Sequence, residues 1–228
     1  MYLDFLSEEG KSSSAPILLI RHGEKEAVTV DEPYHDVHLT EKGIIESNAF
    51  GYELRMAMGT DSFHIHTSPL KRCVMTSESI AKAIGSEVKI QKTKYLGDPG
   101  PFVEDDVLAG STYYELKNAK RLIGSMNSRE HLPGFRTIED GSRVLLDHLI
   151  LSNTPGLSIH VSHDVIIVAL IYYLLEFEWN EDIWIDYLEG VCIYESNGRI
   201  MIDTKFGSFD ITSKFSMTST TLHNLQFK

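Results

Sequence analysis

The sequence predicts one α/β domain, a three-layer α/β/α sandwich around a mostly parallel central sheet. Short apolar or alternating runs of strand length, Ile17 to Ile20, Phe63 to Thr67 and Leu157 to Val161, take turns with longer stretches whose apolar residues recur at helical spacing. An Asn197-Gly198 pair between two β-branched runs near the C-terminal end signals a terminal hairpin. With 228 residues, 42% hydrophobic and 24% charged, the chain can bury an ordinary core.

In order, residues 1–15 end in Lys11-Ser12-Ser13-Ser14 and read as a flexible N-terminal extension, followed by a single domain over residues 16–212. Ile17 to Ile20 is the first strand, and it runs into Arg21-His22-Gly23-Glu24 and a polar loop through Asp31, Pro33 and Asp36. Thr40 is placed to cap a helix through Ile44, Ile45, Ala49 and Leu54 to about Met58, with Gly59 as its stop. After the alternating strand Phe63 to Thr67, Ser68 is expected to cap a helix with Pro69 at its first position, carrying Leu70, Val74, Ile80 and Ile84 and stopped by Gly85. Val88 to Ile90 reads as a short third strand. Leu96-Gly97-Asp98-Pro99-Gly100-Pro101 is too dense in turn formers for regular structure, so residues 95–134 read as an insertion that can act as a lid, with helix around Tyr113 to Ile123.

Thr137-Ile138-Glu139-Asp140 resembles a capping box opening a helix to about Ser152. The strand from Leu157 ends in Ser162-His163-Asp164, and an apolar helix through Ile166, Leu170 and Leu174 follows. The hairpin pairs Val191 to Glu195 with Arg199 to Asp203, and residues 213–228 form a polar tail.

Composition narrows the partners. A formal net charge of −12 argues against non-specific binding to nucleic acid or to an anionic membrane, so an anionic ligand needs a locally cationic pocket. The two cysteines, Cys73 and Cys192, lack CxxC spacing and read as buried free thiols. No apolar run reaches the ~20 residues that span a bilayer, and the first ten residues lack a basic segment followed by an apolar one. The expectation is a soluble, cytoplasmic protein, and the sequence says nothing of its oligomeric state.

Three strand ends carry polar residues: Arg21-His22, Thr67-Ser68 leading to Arg72, and Ser162-His163-Asp164. Parallel strands would bring all three to one edge, where open α/β sheets bind ligands. Arg21 and Arg72 can hold phosphoryl oxygens in charge-assisted pairs, with the helix start near Arg72 adding amide donors. A neutral His22 can attack phosphorus, His163 can add a donor, and a nearby carboxylic acid must protonate the leaving alcohol. This chemistry makes a phosphomonoester the expected substrate.

Arg21-His22-Gly23-Glu24, Leu39-Thr40-Glu41-Lys42-Gly43, Thr67-Ser68-Pro69-Leu70-Lys71-Arg72 and Ser162-His163-Asp164 resemble, in order, the motifs of the histidine phosphatase superfamily, which includes phosphoglycerate mutases and histidine acid phosphatases. The resemblance runs from about Ile17 to Asn180 and implies a phosphoglycerate mutase-like fold. It implies His22 as the phosphorylated nucleophile and Arg21, Arg72 and His163 as the phosphate-binding set, with no cofactor and no metal. For the general acid it points two ways. The acid phosphatase branch places an aspartate after its second histidine, as in His163-Asp164, whereas the mutase-like branch uses an acid after the third strand, where this chain has Leu96-Gly97-Asp98. Asp164 is preferred and Asp98 kept second, with Glu104, Asp105 and Asp106 outside the set. The function expected is metal-independent hydrolysis of a small phosphorylated substrate or a phosphoprotein.

Three other readings stay open: a phosphomutase using the same pocket, a catalytically weak protein that binds phosphorylated ligands, and a metallohydrolase built from His64, His66, His160, His163, Glu24 and Asp164. Histidines at such positions are more often packed or hydrogen-bonded. Trp179, Trp184, Tyr187 and Tyr194 read as packing residues, and Phe102 as the lid aromatic to contact substrate.

Overall fold

The computed structural model of the protein describes residues 3–13, 15–27, 34–58, 62–85 and 88–215. Among these residues seven strands form one sheet: β1 (Ile17–Arg21), β2 (Phe63–Thr67), β3 (Ile90–Lys92), β4 (Leu157–Ser162), β5 (Gly190–Ser196), β6 (Arg199–Thr204) and β7 (Gly207–Asp210). Their order across the sheet is β3-β2-β4-β1-β5-β6-β7. β3, β2, β4 and β1 pair in parallel, whereas β5, β6 and β7 add antiparallel pairings.

Helices cover both faces because β1 and β4 are apolar on both, as strands buried between two helical layers must be. Ile17 and Leu19 face a cluster built with α5 (Ala119–Asn127), α6 (Ile138–Leu151) and α7 (Asp164–Leu175). Leu18 and Ile20 face the other, built with α2 (Glu41–Ala57) and α3 (Lys71–Ile84). Apolar nearly all round, α7 has eight of its residues buried, as a helix packed on several sides requires.

Local signals account for most boundaries. Thr40 accepts from the Gly43 amide and caps α2, and Thr137 accepts from the Asp140 amide and caps α6. Gly85 ends α3 at φ 73°. Asn197 and Gly198 both take positive φ in the β5–β6 turn, the geometry a two-residue hairpin needs.

Several expectations need correction. The third strand lies at Ile90–Lys92, later than expected. α3 begins at Lys71 with no side-chain cap, since its cap position is Leu70; the Ser68 hydroxyl accepts from the Leu70 amide at 3.4 Å and also meets His163. The inserted region holds α4 (Asp106–Leu116), capped by Asp105, as well as α5, whose Leu122, Ile123 and Met126 belong to the main core. Phe102 is buried against Gly141 and serves packing.

The N-terminal segment is pinned rather than loose. Leu3, Phe5 and Leu6 are buried with Leu188, Cys192 and Tyr194, just ahead of the short helix α1 (Glu8–Ser12). Ser7 gives its amide and hydroxyl to buried Asp203 at 2.7 and 2.6 Å, and Tyr194 and Ser208 donate to the same carboxylate. At the far end, α8 (Thr212–Phe215) packs Phe215 into the core. The positions read as loop at Asp31 and Pro33, the expected stop at Gly59 and the tail beyond Phe215 lie outside the described residues. Among the described residues no helix is long and apolar enough to cross a membrane.

Candidate active site

Parallel register brings the three motif-bearing strand ends together. Arg21 on β1 is the Cα partner of Ser162 on β4, and the His22 amide continues the ladder to the Ser162 carbonyl at 3.0 Å. On the other side of β4, the Ser68 amide donates to the Val161 carbonyl at 3.0 Å. The Arg21-His22, Ser68 and His163 positions thus emerge side by side from three adjacent strands. Arg72, on the first turn of α3, turns back over them and is only 1% exposed.

His22 is buried at 3% exposure, and its tautomer follows from its neighbours. Nδ1 lies 2.8 Å from the Gly23 carbonyl, which can only accept, so Nδ1 carries the proton. Nε2 therefore presents its lone pair, which accepts the Arg72 Nε–H at 3.2 Å. Burial, reinforced by Arg72, Arg21 and Lys25, lowers the His22 pKa to about 3, so the imidazole is neutral near pH 7. His163 stands with its ring centroid 5.4 Å from that of His22. Its Nδ1 accepts from Arg72 at 3.4 Å, and its Nε2 meets the Ser68 hydroxyl at 3.0 Å. Burial holds its pKa well below the usual histidine range as well.

Arg21 is fixed by contacts that leave its charge at the pocket. One guanidinium nitrogen donates to the Ile185 carbonyl at 2.8 Å, another pairs with Asp164 at 2.9 Å, and the group lies 4.2 Å from the Tyr187 ring centroid. Its buried Nε finds no partner among the described residues. Lys25 adds a third cation, its pKa lowered by burial and then by Arg72 and Arg21. An acidic chain therefore concentrates cations around one histidine.

The two candidate acids sit differently. Asp164 accepts from Arg21, from the Trp184 indole at 3.3 Å and from the Val165 amide at 2.9 Å, so donors engage both of its oxygens. Those are contacts a carboxylate makes. Asp98 is 37% exposed, lies 3.4 Å from His35, and lines a cleft of about 300 Å³ with Lys71, Lys92 and Leu70. Gly97 carries the chain to it across the pocket. A Cβ there would stand 2.6 Å from the His163 ring and 2.8 Å from the Ser68 hydroxyl, so only glycine lets the backbone pass, at φ 140°.

Lys25, Tyr187 and Trp184 join the site beyond the residues that the motifs indicate, and Tyr187 and Trp184 carry no sequence signal that distinguishes them from packing aromatics. Only the proximity of Lys25 to the Arg-His pair hinted at a function. The metallohydrolase set is not assembled: Glu24 pairs with Lys42 and Thr40, Asp164 with Arg21, and His64 with Ser62 and Pro155.

Comparison with known proteins bears on the family and the fold. Residues 17–98 match the family model described as histidine phosphatase superfamily (branch 1). A curated relative, 2,3-bisphosphoglycerate-dependent phosphoglycerate mutase 2 from Lactobacillus johnsonii, is 37% identical over 73 residues, which is 31% of this chain and 32% of the relative. The match thus spans about a third of that protein's length. Among solved structures, phosphoglycerate mutase from Bacillus anthracis superposes with a TM-score of 0.57 at 16% identity, covering 91% of this chain and 98% of the other. Phosphoserine phosphatase from Entamoeba histolytica gives 0.55 at 18% identity, covering 89% and 99%. A mycobacterial glucosyl-3-phosphoglycerate phosphatase with inorganic phosphate gives 0.54 at 16%, covering 83% and 96%. The chain is similar to the histidine phosphatase superfamily in sequence over 17–98, and it has the phosphoglycerate mutase-like fold.

Proposed function

We propose that this protein is a phosphomonoester hydrolase of the histidine phosphatase type, acting through a phosphohistidine at His22 Nε2. The observation that carries the reading is the tautomer: a neutral imidazole, its proton held on Nδ1 by the Gly23 carbonyl, with its lone pair among Arg21, Arg72 and His163. An incoming phosphoryl group takes over the donors of Arg72 and Arg21. Their charge then falls on the equatorial oxygens, where the transition state concentrates its own. Nε2 attacks phosphorus, the P–O bond to the leaving group breaks, and a carboxylic acid passes its proton to the departing oxygen. Water then attacks the phosphohistidine, the same carboxylate takes its proton, and the P–N bond breaks to release inorganic phosphate and regenerate His22.

For the acid we favour Asp98, reversing the order expected from sequence. It lies one residue from Gly97, which touches His163, and is partly open to solvent. Asp164 is committed to Arg21, Trp184 and the Val165 amide and serves to orient the guanidinium. The segment from Gly97 through α4, which leaves Val107, Leu108 and Tyr114 exposed, is the part of the insertion suited to act as a lid. Relatives in this fold include both phosphatases and mutases, and hydrolysis requires that water reach the phosphohistidine.

The test is a chelator-treated phosphatase screen over alkyl, sugar and amino-acid phosphates, with His22→Ala alongside. Wild type should release phosphate and, quenched during turnover, carry an acid-labile phosphoryl label that His22→Ala lacks. Full activity in His22→Ala would overturn the assignment. Phosphoryl transfer to an added alcohol or second substrate, without release to water, would make the protein a mutase.

A further inference from the structure

A second histidine cluster lies upstream on the same strands. His66 on β2 and His160 on β4 are Cα partners, so both side chains leave the same face of the sheet. Their rings stack at 4.7 Å with an interplanar angle of 8°. His148 reaches down from α6 and stands nearly perpendicular to both, at 6.2 and 5.9 Å. One ring nitrogen from each histidine lies within 4.8 Å of the others. His160 is fully buried and neither of its nitrogens has a hydrogen-bond partner among the described residues, and buried Nε2 of His148 is likewise unpartnered there. Buried polar atoms in native proteins are nearly always satisfied, so the unpartnered nitrogens of His160 and His148 ask for a ligand, and one ion shared by the cluster takes one nitrogen from each ring.

We infer that His66, His148 and His160 form a binding site for a divalent transition metal such as zinc. Three imidazole nitrogens from two strands and a helix suit a tetrahedral ion whose fourth position is taken by water or another solvent ligand. Zn–N bonds of about 2.0–2.1 Å place tetrahedral donors about 3.4 Å apart, so binding requires the widest pair to close by about 1.4 Å. Rotamer adjustment of half-buried His148 supplies part of that movement, and the stacked rings of His66 and His160 must turn out of parallel, because an ion lies in the plane of each imidazole that binds it. Tyr95 stacks on His148 at 4.8 Å and covers the site on that side.

The role of the site is structural. His160 precedes His163 by three residues, about 10 Å along a strand, so the ion would not touch a phosphoryl group at His22. Bound there, it clips α6 to the sheet and holds the turn Lys94–Leu96, from which Gly97 passes over His163.

The experiment uses the full chain, stripped with a chelator and exchanged into phosphate-free buffer, then titrated with zinc chloride by calorimetry. A parallel titration with cobalt(II) reads coordination geometry from the visible spectrum. Expected are one equivalent of zinc, a rise in thermal midpoint, and the intense visible bands of tetrahedral cobalt(II). His148→Asn, at the most solvent-accessible of the three positions, should weaken zinc at least about 100-fold, given that even outer-shell partners of a ligand are worth ~10–100-fold. His22→Ala should bind as wild type, which separates this site from the phosphate pocket. Failure of the wild-type protein to take up zinc saturably, an octahedral cobalt spectrum, undiminished binding in His148→Asn, or loss of binding in His22→Ala would each refute the site.

Discussion

Lowering the pH from 7 to 5 separates a buried, neutral His22 from an ordinary exposed histidine. The His22 pKa falls from 6.5 to about 3, chiefly because burial penalises the cation and because Arg72 and Arg21 repel it. An unperturbed imidazole is neutral to about three-quarters at pH 7 and only to about one part in 30 at pH 5, so a nucleophile with pKa 6.5 would lose about 25-fold in rate over that interval. His22 should lose almost nothing. The assay is kcat/KM against pH, which reports the free enzyme, divided by the ionisation of the substrate, whose second phosphate pKa is about 6. Residual loss below about threefold at pH 5 is expected. A residual acid limb centred near 6.5 would refute the buried, neutral nucleophile. Stability carries the same signature with the opposite consequence. Between the folded value near 3 and the unfolded value of 6.5, the unfolded chain takes up a proton that the folded chain refuses. Stability should therefore fall as pH drops through that window, by about 2 kcal/mol from His22 alone between pH 7 and 5, and level off below about 3. Urea unfolding at stepped pH reads this directly.

Two further perturbations probe the assignment of carboxylates. Asp98→Asn should lower kcat by about 10²–10⁴-fold on alkyl phosphates and much less on p-nitrophenyl phosphate, whose leaving group needs no acid. Asp164→Asn should raise KM more than it lowers kcat, since it loosens Arg21; a leaving-group-dependent collapse of kcat in Asp164→Asn with a silent Asp98→Asn would exchange the two roles. Away from the pocket, Asp203→Ala leaves the donors of Ser7, Tyr194 and Ser208 without their acceptor. It should cost at least about 3 kcal/mol in urea unfolding; a loss under about 1 kcal/mol would mean that the N-terminal segment is not pinned through this carboxylate.

The sequence by itself determined the features whose physics is complete within a few residues. Thr40 and Thr137 cap helices because their hydroxyls meet amides three positions on, and Gly85, Asn197 and Gly198 stop or turn the chain because they adopt positive φ cheaply. The polar ends of β1, β2 and β4 were readable for the same reason, and once those strands are parallel neighbours Arg21, His22, Arg72 and His163 must meet. Only the tertiary structure decided what those side chains do on meeting. The His22 tautomer depends on where the Gly23 carbonyl points, and the commitment of Asp164 to Arg21 and Trp184 depends on how α7 and the segment before β5 lie against β1. The same holds for Asp203 reaching Ser7 across 196 positions, and for His66, His148 and His160 gathering from two strands and a helix. Such contacts leave no periodicity or turn chemistry to read, because their partners are set by strand order and helix packing and not by spacing along the chain.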